Sequence, residues 1–184
     1  MILRHLVMLA GALRGPRIDP LGESRLRLRV MPGDLDVNLH MNNSRFLALM
    51  DLGRFDLVIR MGVMGAARRR RWRPLVGSAM IRYRRSLEPF RTFELVSRVL
   101  CWDDRWLVFE QRFERAGDPV AVALVRALFR GPEGNVPTDE ALRLAGYTGP
   151  RPPFPDYIRQ WAEADDGNWR AVSARREPGP PTAM

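Results

Sequence analysis

The spacing of apolar residues changes from that of a strand to that of a helix early in the chain. From Arg25 to Val30, arginine alternates strictly with leucine and valine, which predicts a strand with one face in water. Pro32-Gly33 ends this strand. Over residues 43–61 apolar side chains cover most of a helical circumference, so we expect a long helix enclosed by other elements.

The ends and the middle of this helix carry their own signals. Asn42 or Asn43 is suited to its N-cap, and Gly62 to its end. Gly53, in the middle, is less favourable than alanine by about 1 kcal/mol in a helix. We therefore expect a strand to approach the helix closely at Gly53.

Four further segments have the composition of strands, separated by residues that favour turns. They are residues 75–87, 91–102, 105–116 and 119–130. Together with the first strand they predict an α+β fold, in which a five-stranded antiparallel sheet wraps around the long central helix.

The N-terminal segment, residues 1–20, is predicted to be amphipathic. Residues 1–13 are apolar except for Arg4 and His5, and this stretch is too short to span a bilayer. We expect a helix packed on its own domain. The alternative is peripheral membrane contact through residues 1–13.

The main domain is expected to cover residues 21–132, with a C-terminal extension over 133–184. In the extension, the sequence predicts one helix from Pro137 to about Leu144 and another from Pro155 to about Ala164. The proline- and arginine-rich tail from Ala174 is expected to be disordered.

The net charge of +9 does not by itself indicate a nucleic-acid partner. All 30 basic residues are arginine, and a total absence of lysine is typical of a coding bias. No basic surface interleaved with aromatic residues accompanies the charge, so no nucleic acid is expected.

Cysteine and histidine are too few for a metal centre. The single cysteine, Cys101, excludes an internal disulfide and is expected to be buried as a small apolar residue. His5 and His40 lie far apart in sequence. We expect neither a metal nor a separate cofactor.

Polar residues are concentrated in the loop that leads into the long helix. A helix N-terminus offers unpaired N–H groups and a partial positive charge, which suit an oxyanion. Nearby, Asp36 could act as a base or nucleophile, or it could be only a turn residue. His40 could equally be satisfied by local backbone groups, and Asn42 and Asn43 are first of all capping residues.

This loop has the pattern Asp-x-Asp-x-x-x-His-x-Asn-Asn from Asp34 to Asn43. It resembles the signature of the hotdog-fold acyl-CoA thioesterase superfamily, in the thioesterase-like branch related to 4-hydroxybenzoyl-CoA thioesterase. The resemblance extends from about Leu21 to Arg130. It includes the segments Met50–Arg54, Val76-Gly77, Arg112–Glu114 and Arg126–Phe129.

The resemblance implies hydrolysis of an acyl-CoA thioester to free acid and coenzyme A. Asp36 would be the base or nucleophile, and the backbone amides near Asn43 to Arg45 would form the oxyanion hole. Asp34 would shape the loop, and His40 would orient the Asp36 carboxylate or line the acyl pocket. The remaining implied site residues are Asp51, as a helix carboxylate at a site formed with a second subunit, and Asn42, Ser44 and Arg45 as substrate contacts.

Coenzyme A phosphates would need cations. Arg82 and Arg84 alternate with apolar residues on one predicted strand and are candidates, because the arginine fork suits phosphate. A solvated strand face explains the same pattern. Arg54 is a further binding candidate, although its three-residue spacing from Asp51 is typical of a local ion pair. The Arg68–Arg73 run is expected to be a solvated connection, with anionic lipid or coenzyme phosphate as lesser alternatives.

The assembly follows from the same resemblance. It implies a homodimer or homotetramer with sites at the interface. We expect a cytoplasmic protein, with peripheral contact at the inner membrane as a variant. The alternative function is a non-catalytic acyl- or lipid-binding hotdog protein at the membrane surface.

Overall fold

The computed structural model describes residues 2–175. The chain divides into two compact units, residues 1–152 and 153–184. The predicted disordered tail lies, from residue 176 on, outside the described residues.

The first unit contains most of the helices and all the described strands. Its helices are α1 (Ile2–Arg14), α2 (Asn43–Arg60), α3 (Val63–Arg69) and α4 (Thr138–Leu144). Its strands are β1 (Glu23–Arg29), β2 (Arg73–Tyr83), β3 (Thr92–Trp102), β4 (Leu107–Arg115), β5 (Asp118–Gly131) and β6 (Gly134–Asn135). The second unit contains α5 (Asp156–Ala174).

The strands form one antiparallel sheet in the order β1-β3-β4-β5-β2. The two-residue strand β6 adds a short hairpin to β5. The predicted fold class is confirmed: a curled antiparallel sheet packs around a long helix. Strands β1 and β2 form the two edges of the five-strand path, and β2 carries an irregularity between Val76 and Ser78.

Helix α2 lies against the concave face of this sheet at very short range. A Cβ added at Gly53 would lie 2.9 Å from Gln111 Nε2 and 2.9 Å from Leu95 Cδ2, and it would also clash with Ser97 Oγ. The expected close approach at Gly53 is confirmed, and side chains of β3 and β4 make it. Asn42 is the N-cap and Gly62 follows the helix end with a φ of +83°.

The expected enclosure of α2 is incomplete in the single chain. Leu47, Asp51 and Phe55, spaced four residues apart, form an exposed stripe along it. The sheet curls around one side of the helix only. Its edge strand β2 also leaves the apolar side chains of Leu75 and Val76 about half exposed.

Two helices differ from the sequence prediction. The Arg68–Arg73 run is not wholly a connection, because α3 continues to Arg69 and β2 begins at Arg73. Helix α5 does not end near Ala164 but continues to Ala174. It passes through a polar run that includes Gly167, since helix propensity is a weak local preference. Helix α4 begins and ends as predicted.

Helix α1 packs on its own domain through a narrow face. Met8 and Ala12 are buried in the core. The opposite face leaves Leu3, Leu6 and Leu13 between 59% and 74% exposed. None of the described helices is both long and apolar enough to cross a bilayer.

Candidate active site

The loop before α2 is closed by its own backbone. Leu35 and Met41 form an isolated antiparallel bridge, and Asp36 N donates to His40 O at 2.9 Å. Leu39 takes a positive φ of +58°, a conformation that side chains other than glycine rarely adopt. The loop is therefore tightly closed at the start of the helix.

Within this loop the Asp36 carboxylate has a fixed orientation. Its Oδ1 accepts hydrogen bonds from Asn38 N at 2.8 Å and His40 N at 3.4 Å. These are the bonds of an Asx turn. The His40 imidazole takes part in neither bond, so the contact between these two residues runs through the backbone. Asp36 and His40 are both partly buried.

The first turn of α2 offers one N–H group for an oxyanion. The Asn42 side chain accepts from Ser44 N at 2.8 Å, and Asn42 O accepts from Arg45 N at 2.8 Å. In the part of the chain that is described, Asn43 N–H has no such partner. Asn43 and Ser44 are exposed, and the Arg45 side chain is partly buried.

Tyr83 also lies at this helix start, although the sequence did not single it out. Its hydroxyl donates to Asn43 O at 3.4 Å, and its ring meets that of Phe46 edge-on at 5.1 Å. Burial raises the pKa of Tyr83, so the phenol remains protonated at neutral pH. The alternation along β2 indicates that Tyr83 and Ile81 share one face of the strand, but it does not indicate that Tyr83 meets the start of α2.

The second group of candidate residues lies in the middle of α2. Arg54 pairs with Asp51, and its Nη1 donates to Gln111 Oε1 at 2.5 Å. Gln111 is fully buried and in turn donates to Ser97 Oγ at 2.8 Å and to Met50 O at 2.9 Å. Burial lowers the pKa of Arg54, and the Asp51 charge opposes that shift. This network holds Arg54 in place and leaves the Asp51 side chain 52% exposed.

Asp51 and Arg54 line a cavity of about 90 Å³ between α2 and the sheet. The rest of its lining is apolar, with Phe55 and Val58 from α2 and residues of β2, β4 and β5 such as Phe109. Such a lining suits an apolar acyl group. The cavity is small beside typical ligand sites of roughly 300 Å³ or more.

The structure separates the predicted site residues into two groups. Asn43 and Asp51 are eight residues apart on one helix, which places them about 12 Å apart at 1.5 Å per residue. One carbonyl group cannot contact both positions within a single chain. We call the first group, residues 34–45, the loop–helix junction. We call the cavity that Asp51 and Arg54 line the apolar cavity.

Arg82 and Arg84 belong to neither group. Arg82 is exposed and opposite Val122 on the sheet face that points away from α2. Arg84 is also exposed, and neither side chain lines the apolar cavity. Among the described residues, no three side chains of the metal-binding types are grouped to hold a metal ion.

Comparison with known proteins identifies the family of this chain. Residues 30–162 match the thioesterase-like superfamily. The chain belongs to the thioesterase-like superfamily. The protein THEM6 of Xenopus laevis is 32% identical to it over 169 residues, which are 92% of this chain and 81% of that protein.

Solved structures support the fold of this superfamily member. The probable thioesterase YbaW from Escherichia coli superposes with a TM-score of 0.61 at 21% identity, over 66% of this chain and 94% of YbaW. The 1,4-dihydroxy-2-naphthoyl-CoA thioesterase Slr0204 from Synechocystis superposes with a TM-score of 0.58 at 12% identity, over 67% of this chain and 95% of Slr0204. The predicted hotdog fold is confirmed. Membership in the superfamily associates the chain with thioester hydrolysis in general.

Proposed function

We propose that this protein hydrolyses acyl-CoA thioesters to a free acid and coenzyme A, at a site completed by a second copy of the chain. The observation that carries the proposal lies on α2. Within the described residues, Asn43 N–H at the helix start has no hydrogen-bond partner, and the loop that leads into the helix holds an oriented Asp36 carboxylate. Further along the helix, the Asp51 carboxylate lines an apolar cavity.

In this proposal Asp36 either attacks the thioester carbonyl carbon or removes a proton from an attacking water. The carbonyl oxygen becomes negatively charged and accepts a hydrogen bond from Asn43 N–H, where the helix dipole also favours negative charge. The C–S bond then breaks, and coenzyme A leaves as a thiolate that takes up a proton. Where water is the nucleophile, the acyl group leaves directly as the free acid. Where Asp36 is the nucleophile, the acyl group is held on Asp36 as a mixed anhydride, and a water molecule hydrolyses it to the free acid and regenerates the carboxylate. No metal takes part in these steps.

A homodimer brings the two groups of residues together. Two antiparallel α2 helices related by a two-fold axis would place the loop–helix junction of one copy near Asp51 of the other. The exposed stripe of Leu47 and Phe55 and the half-exposed edge strand β2 supply an apolar surface for such contact. The second copy would also enlarge a cavity that is small in one chain.

The test is thiol release from short, medium, long and aromatic acyl-CoAs by the wild type, Asp36→Asn and Asp51→Asn. We expect turnover on one substrate class and a loss of about two orders of magnitude or more in Asp36→Asn, as is typical for a general base. If the folded Asp36→Asn variant kept full activity, Asp36 would not be the catalytic carboxylate. The Asp51→Asn variant would then show whether Asp51 has that role. Absence of turnover on every substrate would overturn the enzymatic proposal.

A second candidate function is acyl or lipid binding without catalysis at a membrane surface. The exposed leucines of α1 favour it, because an apolar helix face with Arg14 at its end suits a lipid headgroup layer. With this second function, the protein would be cytoplasmic and would contact the inner membrane peripherally. Replacement of Leu3, Leu6 and Leu13 by serine should abolish sedimentation of the protein with phospholipid vesicles. The helical circular dichroism signal should stay unchanged. If this variant and the wild type sedimented equally, the proposed membrane contact through α1 would be excluded.

A further inference from the structure

The apolar cavity adjoins a groove lined by arginines. This groove has a volume of about 770 Å³ and shares Met64 and Leu75 with the lining of the cavity. Its cationic side chains are Arg68, Arg71, Arg73 and Arg130. We call it the arginine groove.

None of these four arginines has a carboxylate partner within residues 2–175. The contrast with their neighbour Arg70 is clear. Arg70 pairs with Glu140 at 2.7 Å, and its guanidinium lies 5.1 Å from the centre of the Trp72 ring. The Arg68–Arg73 run is therefore divided between a structural arginine and arginines that remain available in the groove.

The groove also contains an unfavourable arrangement of charge. Arg73 and Arg130 are directly opposite each other on β2 and β5. Like charges in that position destabilise a sheet. The repulsion between the two guanidinium groups is reduced when an anion lies between them.

The backbone that presents these arginines is well defined. Arg71 has a positive φ of +58°, and its N–H donates to Arg68 O at 3.1 Å. Trp72 N donates to Ala67 O at 2.8 Å, and its ring packs on Phe129 at 6.3 Å. The cations are thus attached to the last turn of α3, to a fixed turn after it and to two paired strands.

We propose that the arginine groove binds the phosphate groups of coenzyme A while the acyl part of the substrate occupies the apolar cavity. This assignment rests on the proposed thioester hydrolysis. It takes the phosphate role away from Arg82 and Arg84, because the groove borders the cavity and those two residues do not. Arginine forks bind phosphate in a bidentate manner, and several cations around one groove suit a ligand with several phosphates.

Calorimetric titration with coenzyme A, 3′-dephospho-coenzyme A and pantetheine tests the groove without catalysis. The variant is Arg73→Gln/Arg130→Gln. The control, Arg27→Gln/Arg115→Gln, removes two exposed arginines that have no ion pair in the described chain. We expect the groove variant to lose at least tenfold in affinity for coenzyme A and the control to remain within twofold. Pantetheine lacks the nucleotide phosphates, so the affinity for pantetheine should be the same in both variants and in the wild type.

The unliganded proteins provide a second measurement. Because the groove variant removes a like-charge pair, its melting temperature should equal or exceed that of the wild type. Reduced affinity together with undiminished stability indicates a binding role, whereas reduced stability would indicate a structural one and overturn the proposal. Unchanged coenzyme A affinity in the groove variant, or equal loss in the control, would also overturn it.

Anionic lipid is the other source of phosphate. Vesicles of phosphatidylglycerol, compared with phosphatidylcholine, should sediment the groove variant and the wild type alike. Loss of vesicle binding with intact coenzyme A binding would overturn the coenzyme assignment in favour of lipid phosphate. Groove-dependent coenzyme A binding without any thiol release would leave this inference standing and refute the hydrolysis. Turnover with an unchanged KM for acyl-CoA in the groove variant would refute the inference alone.

Discussion

Arg4 of α1 and Asp34 of the loop before α2 form a two-pronged ion pair, with Nη1–Oδ1 at 3.0 Å and Nη2–Oδ2 at 2.7 Å. Asp34 is buried, and its Oδ2 also accepts from Met31 N at 2.8 Å. Its carbonyl accepts from Asn42 N, the N-cap of α2. The N-terminal helix is therefore part of the structure that positions the loop–helix junction.

This pair predicts a large effect of Arg4→Met on stability. Asp34 would be left as a buried carboxylate without its cation, a change that typically lowers the free energy of unfolding by about 3 kcal/mol or more. Urea denaturation of Arg4→Met, Asp34→Asn and the double variant measures the coupling. We expect about 1–3 kcal/mol, as for groups in direct contact. Additive effects of the two changes would contradict the role given to the pair.

Gly53→Ala should destabilise the protein even though alanine favours helix. The added methyl group would clash with Ser97 Oγ and crowd Gln111 and Leu95. Overpacking of this kind typically lowers the free energy of unfolding by about 1–3 kcal/mol. Thermal denaturation gives the sign of the change.

Gly11→Ala is the matched control for that substitution. Gly11 also lies inside a helix, but a Cβ there would meet nothing within 4 Å. Helix propensity should then dominate, with a gain of up to about 1 kcal/mol. Loss of stability at both glycines would mean that crowding at Gly53 is not the cause.

The sequence allowed accurate prediction of features that depend on local pattern. The bounds and caps of α2 follow from apolar spacing and from Asn42 and Gly62. The strands follow from alternation and turn residues to within two residues, except that β2 ends at Tyr83 and not at residue 87. The contact of Tyr83 with Asn43 could not be predicted in the same way. It depends on where the edge strand β2 passes the helix start, which is a matter of packing between distant segments.

The role of Asp36 illustrates a different limit. A turn residue and a catalytic base in this loop both require a carboxylate at the same position. The structure shows that Oδ1 makes the turn bonds to Asn38 and His40. These bonds would also orient a base, so its catalytic role stays a prediction until the Asp36→Asn variant is assayed.

Cys101 should be unreactive in the native protein. Its expected burial is confirmed, and burial, with the nearby Asp103 charge, raises the pKa of the thiol to about 12. The thiolate is the reactive form, so almost none is present below about pH 10. At pH 8 a disulfide reagent should label the protein only after denaturation. Rapid labelling of the folded chain would contradict the burial of Cys101.

Leu47→Glu should dissociate the proposed dimer. Leu47 is 45% exposed on the apolar stripe of α2, and a carboxylate there would be buried next to its symmetry-related copy. Light scattering at micromolar concentration should show a dimer for the wild type and a monomer for the variant. Leu13→Glu is the control, because Leu13 is 69% exposed on α1 and does not belong to that stripe.

Assembly and catalysis should be lost together in Leu47→Glu. Asn43 and Asp51 are about 12 Å apart along one helix, so only a second copy brings the loop–helix junction and Asp51 to one carbonyl. The variant should therefore release no thiol even though Asp36, Asp51 and the apolar cavity are intact, and Leu13→Glu should retain activity. A monomeric variant with full turnover would show that one chain contains a complete site, and a monomeric wild type would exclude the composite site.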